Sequence, residues 1–324
     1  MIGKRNTAME KKKVLILGSL GILGQELVRT FTADEHYAVT AWDKEDIDIT
    51  NFTLLEENLT AIQPDVVINA AAYNAVDLCE EDDDEYAKAL LLNRDVPGFL
   101  AEMSAKMGFL LVHYSTDYVF DGALEENRTK TGCCGGGCCS AAAAGSSSQV
   151  GYTEEVLPNP LSRYGESKYA GERAVREHAK RYYLIRLSKL FGRPGKSSQA
   201  KKSFFAVMLE QAEGESDVRA VDDEKSCFTY APDLAMATRE LIESEDSFGT
   251  YHLVNEGAAT WYEVTLELYR LAGKEEQVFS VRSDSFPRPA RRPSCSVLLN
   301  TKRPRLRHYT AALREYLEDR KHEA

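Results

Sequence analysis

The 324-residue chain is predicted to be an α/β protein: a doubly wound parallel sheet with a smaller C-terminal α/β lobe. Three observations predict it. Short apolar runs alternate with helical stretches through the first two-thirds of the chain. Runs such as Val66-Val67-Ile68 are continuously apolar, as in strands covered on both faces. A glycine-rich turn follows the first such run, where a strand hands over to a helix.

Residues 1–12 read as a basic, polar extension with no apolar segment behind them, unlike a secretory signal. Val14–Gly18 is a buried strand, Gln25–Phe31 a helix, and Ala38–Asp43, Asp65–Ala71 and Leu110–Ser115 are further strands. Tyr86–Met107 is helical, kinked or divided by Pro97. With the strand Tyr183–Ser188, these make residues 13–192 mainly a dinucleotide-binding domain. Residues 193–324 carry helices at Phe204–Glu213, Pro232–Glu243 and Tyr262–Leu271, and strands at Val218–Val221 and Tyr251–Val254. They are expected to form mainly a substrate lobe over the strand ends, where open sheets hold ligands, with some segments returning to the main sheet.

A low-complexity insertion, residues 127–149, interrupts the first domain. Its core, TGCCGGGCCSAAAAGSSS from Thr131 to Ser148, contains Cys133, Cys134, Cys138 and Cys139 but matches no common zinc spacing. A surface insertion is expected, and no metal. Cys79, Cys227 and Cys295 are scattered, which fits reduced thiols in a cytoplasmic protein better than a disulfide framework. No apolar run reaches the roughly 20 residues of a membrane span. A net charge of −11 argues against nucleic acid as a partner. The acidic run Glu80–Glu85 reads as a solvated loop or a helix start.

Gly18, Gly21 and Gly24 allow a tight turn, close approach of the backbone to a pyrophosphate, and close helix–sheet packing. The spacing also suits a β–α turn with nothing bound. Asp43 ends the second strand 19 residues after Gly24, where a carboxylate suits the adenosine ribose hydroxyls. It would repel a 2′-phosphate and so favours NADH, whereas Lys44 beside it offsets that preference, leaving NADPH or NADH open. Asp43 alone also fits a surface turn. Asp48 and Ile49 follow in a loop with reach toward the adenine, and Ala70, Ala71 and Ala72 are small residues for a cofactor to pack against.

Tyr164 and Lys168 stand four residues apart in a helical stretch that Ser162 is placed to cap, so they share a face. A lysine ammonium beside a phenol lowers its pKa and lets it exchange a proton with a carbonyl oxygen. The spacing alone also fits a core tyrosine beside a snorkelling lysine. Thr116, at the end of the strand Leu110–Ser115, supplies a hydroxyl at the carboxyl edge of the sheet, suited to holding a substrate carbonyl.

These pieces together resemble the dTDP-4-dehydrorhamnose reductase family of extended short-chain dehydrogenases, a Rossmann-type fold. The resemblance rests on GSLGILG at 18–24, DVVINAAAYNAVD at 65–77, HYSTDYVFDG at 113–122 and PLSRYGESKYAGE at 160–172, and on YHLVNEGAATWYE at 251–263 and RPARRPSCSVLLNT at 288–301. It implies reduction of the 4-keto group of a dTDP-linked 6-deoxyhexose by NAD(P)H, the last step toward dTDP-L-rhamnose, with Tyr164 as proton donor. It also implies that Gly21, Ile22 and Leu23 cradle the pyrophosphate and that Ala72, Tyr73 and Asn74 line the cofactor. Val76, Thr116 and Asp117 would meet the sugar, and Arg291 and Arg292 are candidates for the diphosphate, or a basic surface pair. Two positions depart from the pattern: Lys189 replaces a tryptophan expected to pack on the substrate, and Cys295 replaces an asparagine. A related epimerase or epimerase/reductase, and a non-catalytic cofactor-binding regulatory subunit, are the other readings. A homodimer is one assembly the resemblance allows.

Overall fold

The structure, a computed structural model, describes residues 11–124, 150–197, 202–214, 217–244, 246–275 and 277–323. Most of the N-terminal extension and all of the 127–149 insertion, with its four cysteines, lie outside the described residues.

The main sheet has six parallel strands. Five of them are β1 (Lys12–Leu17), β2 (Tyr37–Trp42), β3 (Val66–Asn69), β4 (Leu110–Thr116) and β5 (Tyr182–Leu187). The sixth, Gly249–His252, flanks β5, and the order across the sheet is Gly249–His252, β5, β4, β3, β1, β2. The winding reverses between β1 and β3, and the crevice at their carboxyl ends is where such sheets place ligands. Side chains alternate across the sheet as the two-residue strand period requires. Val14 and Ile16 enter one apolar layer with Leu27 and Phe31 of helix α1 (Ile22–Thr32) and Leu234 and Leu241 of the Ala231–Glu243 helix. Leu15 and Leu17 enter the opposite layer with Leu55, Leu59, Leu100 and Val175. A separate aromatic-rich cluster joins Phe191, Phe205, Phe228, Tyr230 and Tyr316. Its helices are Phe204–Gln211, Trp261–Ala272 and Tyr309–Glu323.

Two segments of the last third join the main sheet and its core. The run expected as Tyr251–Val254 forms the edge of the main sheet, with Tyr251 opposite Ile185, because its apolar residues complete the core layer there. The Ala231–Glu243 helix likewise packs on α1. The Tyr86–Met107 stretch is divided just ahead of Pro97: helix Asp83–Leu90 passes through a π-helical turn, Leu91–Asp95, into helix Val96–Met107. Pro97 has no N–H to offer the Asn93 carbonyl, so the ladder widens one turn before it. That carbonyl lies against Gly171, where any Cβ would stand 1.9 Å from it. The widened turn thus docks on the helix that carries Tyr164.

The acidic run is a helix start, as its composition suggests. Asp82 caps the helix by accepting from the N–H groups of Asp84 and Glu85. Asp83 pairs with Arg163 at 2.6 Å, and Glu80 accepts from the Arg163 N–H at 2.7 Å.

Candidate active site

The glycine turn lies at the reversal of the winding. Gly18 has φ +78°, and a Cβ there would sit 2.7 Å from the Ala71 nitrogen, so the turns after β1 and β3 touch. A Cβ on Gly24 would stand 2.0 Å from the Gly18 oxygen. Helix α1 begins at Gly21 with no side-chain cap and no acid in its first turn. Its leading N–H groups are left for an anion, and this cradle fits the pyrophosphate of a dinucleotide.

The other cofactor residues take varied places. Asp43, directly after β2, spends one oxygen on the Leu20 N–H at 2.8 Å and so braces the glycine turn. Its other oxygen accepts from the Lys44 N–H at 2.9 Å. Asp48 closes its own turn by accepting from the Thr50 N–H and hydroxyl at 3.0 and 2.6 Å. Ile49 packs on the core layer below β1 rather than reaching outward. Ala70 is half-buried against the core, Ala71 donates its N–H to Asn69, and Ala72 and Asn74 are exposed. Tyr73 is held at both ends: its N–H donates to Asn93 at 2.9 Å and its hydroxyl donates to Glu85.

Asn93 was not singled out from sequence. It is fully buried and donates to the Tyr73 carbonyl at 2.9 Å and to the Ser167 hydroxyl at 3.0 Å. It therefore ties the cofactor-side loop to the Tyr164 helix. An amide in an apolar helical run just ahead of Pro97 was the available signal.

Ser162 caps the Arg163–His178 helix by accepting from the Gly165 N–H at 3.2 Å. Gly165 lets the helix start close on the Tyr118 carbonyl, which a Cβ would approach to 2.4 Å. The Tyr164 and Tyr118 rings meet edge to face at 6.1 Å. Burial pushes the Tyr164 phenol above its ordinary pKa, and hydrogen bonding with the Thr116 hydroxyl opposes this. The lowered phenol pKa expected from the spacing is therefore not the resting condition. The Lys168 ammonium, nearly sealed from solvent, donates to the Tyr114 carbonyl at 2.7 Å. Burial lowers its pKa to about 8, with Glu172 opposing.

Thr116 ends β4, donates to Asp117 Oδ1 at 3.2 Å and accepts from the Tyr118 N–H at 3.2 Å. Both bonds are long and open to exchange. Asp117 is bound up within the protein. It is 2% exposed, and its Oδ2 accepts from Ser188 at 2.9 Å, Lys189 at 2.9 Å and Ser296 at 2.6 Å. Those three partners complete a network that only Asp117 and Lys189 announced in the sequence. Val76 is half-buried close by in the chain to Asp77, which accepts both arms of Arg292 at 2.6 and 2.7 Å. The two late arginines divide: Arg292 is inward and paired, while Arg291 is exposed and belongs to the surface. Arg288, not foreseen, pairs with Glu224, which also accepts from Trp261 Nε1 at 3.3 Å. Among the described residues there is no group of His, Cys, Asp or Glu arranged to hold a metal ion. No helix among them is long and apolar enough to cross a membrane.

Comparison with known proteins places this geometry. The profile of the RmlD substrate binding domain matches residues 12–322. The spore coat polysaccharide biosynthesis protein SpsK of Bacillus subtilis is 32% identical over 95% of this chain and 98% of its own. A dTDP-4-dehydrorhamnose reductase from Clostridium acetobutylicum is 31% identical, with a TM-score of 0.81 over 95% of this chain and 99% of that one. The reductase of Bacillus anthracis, solved with NADP, is 28% identical, with a TM-score of 0.82 over 95% of this chain and 99% of that one. With the glycine cradle, Thr116, Tyr164 and Lys168 all at the carboxyl edge of the sheet, the chain belongs to the dTDP-4-dehydrorhamnose reductase family.

Proposed function

We propose that the protein reduces the 4-keto group of a dTDP-linked 6-deoxyhexose, dTDP-4-dehydro-L-rhamnose to dTDP-L-rhamnose, with NADPH or NADH. The observation that carries this reading is that Tyr164 and the buried Lys168 share one helix, with Tyr164 hydrogen-bonded to Thr116 and Lys168 to the Tyr114 carbonyl at the end of β4. The nicotinamide, when bound, supplies hydride to the keto carbon. Burial keeps the Tyr164 phenol protonated at neutral pH, as a proton donor must be. As negative charge grows on the sugar oxygen, Tyr164 gives up its proton. The Lys168 ammonium then offsets the phenolate in a site with little water to do so. Thr116, by exchanging its long bonds, orients the oxygen that receives the proton.

Asp43 and Lys44 leave the two nicotinamide cofactors in competition, and Gly21, Ile22 and Leu23 hold their shared pyrophosphate. We further infer that the aromatic-rich cluster belongs to the substrate lobe, that Arg292 borders the sugar nucleotide, and that two copies form a homodimer in the cytoplasm. Three free thiols among the described residues, Cys79, Cys227 and Cys295, suit a reducing compartment.

The test is NADPH oxidation on addition of dTDP-4-dehydro-L-rhamnose, with product identified by mass. Cofactor binding with no turnover of any 4-keto sugar nucleotide would overturn the reaction and leave a binding subunit. The pH profile is a second expected result. Catalysis needs charged Lys168, so kcat/KM falls as pH rises through about 8. A profile still flat well above that pH would remove Lys168 from this role.

A further inference from the structure

We propose that Lys189 sets the sugar preference of this site by donating a hydrogen bond to a ring hydroxyl of the sugar; the inference rests on the sugar-nucleotide reading above. Lys189 follows β5, beside the strand whose end carries Thr116. Its Nζ is 2.9 Å from Asp117 and 4.1 Å above the centre of the Tyr118 ring, with the Trp261 ring centre at 6.0 Å. Tyr118 in turn meets the Tyr164 ring, so the ammonium borders the reacting end of the site rather than its nucleotide end.

Its charge is secure. Burial works against the ammonium, but Asp117 and Tyr118 outweigh it and hold the pKa above the ordinary lysine value. Asp117 is 2% exposed and its Oδ2 is filled by the donors Ser188, Lys189 and Ser296. Asp117 is therefore an anchor, and Lys189 is the member of the pair with something left to give. The Lys189 side chain is 13% exposed, and an ammonium has three N–H groups. Asp117 and Tyr118 account for two. A methyl group set against the third would strand a charged donor, whereas a hydroxyl oxygen satisfies it. A site built this way rejects the analogue lacking the hydroxyl far more strongly than an apolar platform would.

The test uses product binding, which needs no turnover. Calorimetry on the NADPH-loaded protein compares dTDP-L-rhamnose with its 2-deoxy and 3-deoxy analogues. Lys189→Met is expected to weaken binding of the parent sugar about 10- to 100-fold. One deoxy analogue should bind wild type and variant alike, because the contact is already missing. If Lys189→Met does not fold, Lys189→Gln carries the same comparison, keeping a donor for Asp117 and losing the charge. Equal weakening of all three sugars, no weakening of any, or no binding of any sugar by wild type would overturn the proposal. Hydroxyl discrimination that depends on Lys189, in a protein that turns over no keto sugar, would overturn the reduction and leave this inference standing. Normal turnover with binding indifferent to Lys189 would do the reverse.

Discussion

Replacing Tyr164 by Phe is expected to lower kcat for the keto sugar roughly 10²- to 10⁴-fold, the usual worth of a positioned general acid. The substitution removes one oxygen and keeps the ring that packs edge-on against Tyr118. Neither the helix cap at Ser162 nor the Asn93 tie to Ser167 involves the phenol. NADPH affinity, read by fluorescence titration, should therefore stay within about threefold, because the glycine cradle supplies the backbone groups for the pyrophosphate. Loss confined to kcat and kcat/KM assigns the hydroxyl to the transition state. A Phe variant with near-normal kcat would require another proton donor, and Thr116, hydrogen-bonded to Tyr164, carries a hydroxyl there.

Glu172→Gln should cost about 3–5 kcal/mol of stability, the typical penalty for stranding a buried charge. Glu172 and Arg186 are 0% and 1% exposed, and the guanidinium grips both carboxylate oxygens at 2.8 and 2.7 Å. This pair bolts the Tyr164 helix to β5. The glutamine leaves Arg186 charged among apolar neighbours, over the Phe120 ring, with His252 at 3.4 Å as a neutral partner. Burial holds His252 down to about 4, so it stays uncharged at neutral pH. Replacing both members, Glu172→Leu with Arg186→Met, should recover most of the loss, since the pair offsets its own desolvation. Urea midpoints of the two variants check the comparison. There is also a kinetic consequence. Glu172 lies one turn beyond Lys168 and opposes the burial that depresses its pKa. Neutralising Glu172 should move the alkaline limb of kcat/KM below its wild-type position near pH 8. A stable Glu172→Gln protein with an unmoved limb would defeat both parts.

The site was legible in sequence wherever its geometry is local. Tyr164 and Lys168 share a face because a helix turns once in 3.6 residues. Gly18 and Gly24 stand where a turn between strand and helix closes on itself, and Thr116 ends a strand whose apolar run reveals its direction. The illegible residues are those whose meaning lies in a distant partner. Ser188 and Ser296 are 71 and 179 positions from Asp117, yet all three meet at one carboxylate. The sequence suggests Asp117 for the sugar but shows none of the donors that surround its carboxylate. Arg292 reads as a diphosphate candidate, but nothing in the sequence shows that Asp77, 215 positions away, accepts both its arms. The sequence suggests that some late segments return to the main sheet but does not single out the Tyr251 strand as one of them. That strand pairs with β5 because only a parallel edge buries its apolar side chains.

The sequence by itself determined the doubly wound class, the glycine turn and the Tyr164–Lys168 face. Each follows from steric rules that act over a few residues, and the backbone obeys them wherever the segment goes. Tertiary structure alone decided which charges are paired, that burial raises the Tyr164 phenol, and that Lys189 stands over Tyr118 with Asp117 as its anchor. The energy of a buried charge depends on the atoms that replace its water, and those atoms come from segments that only packing brings together.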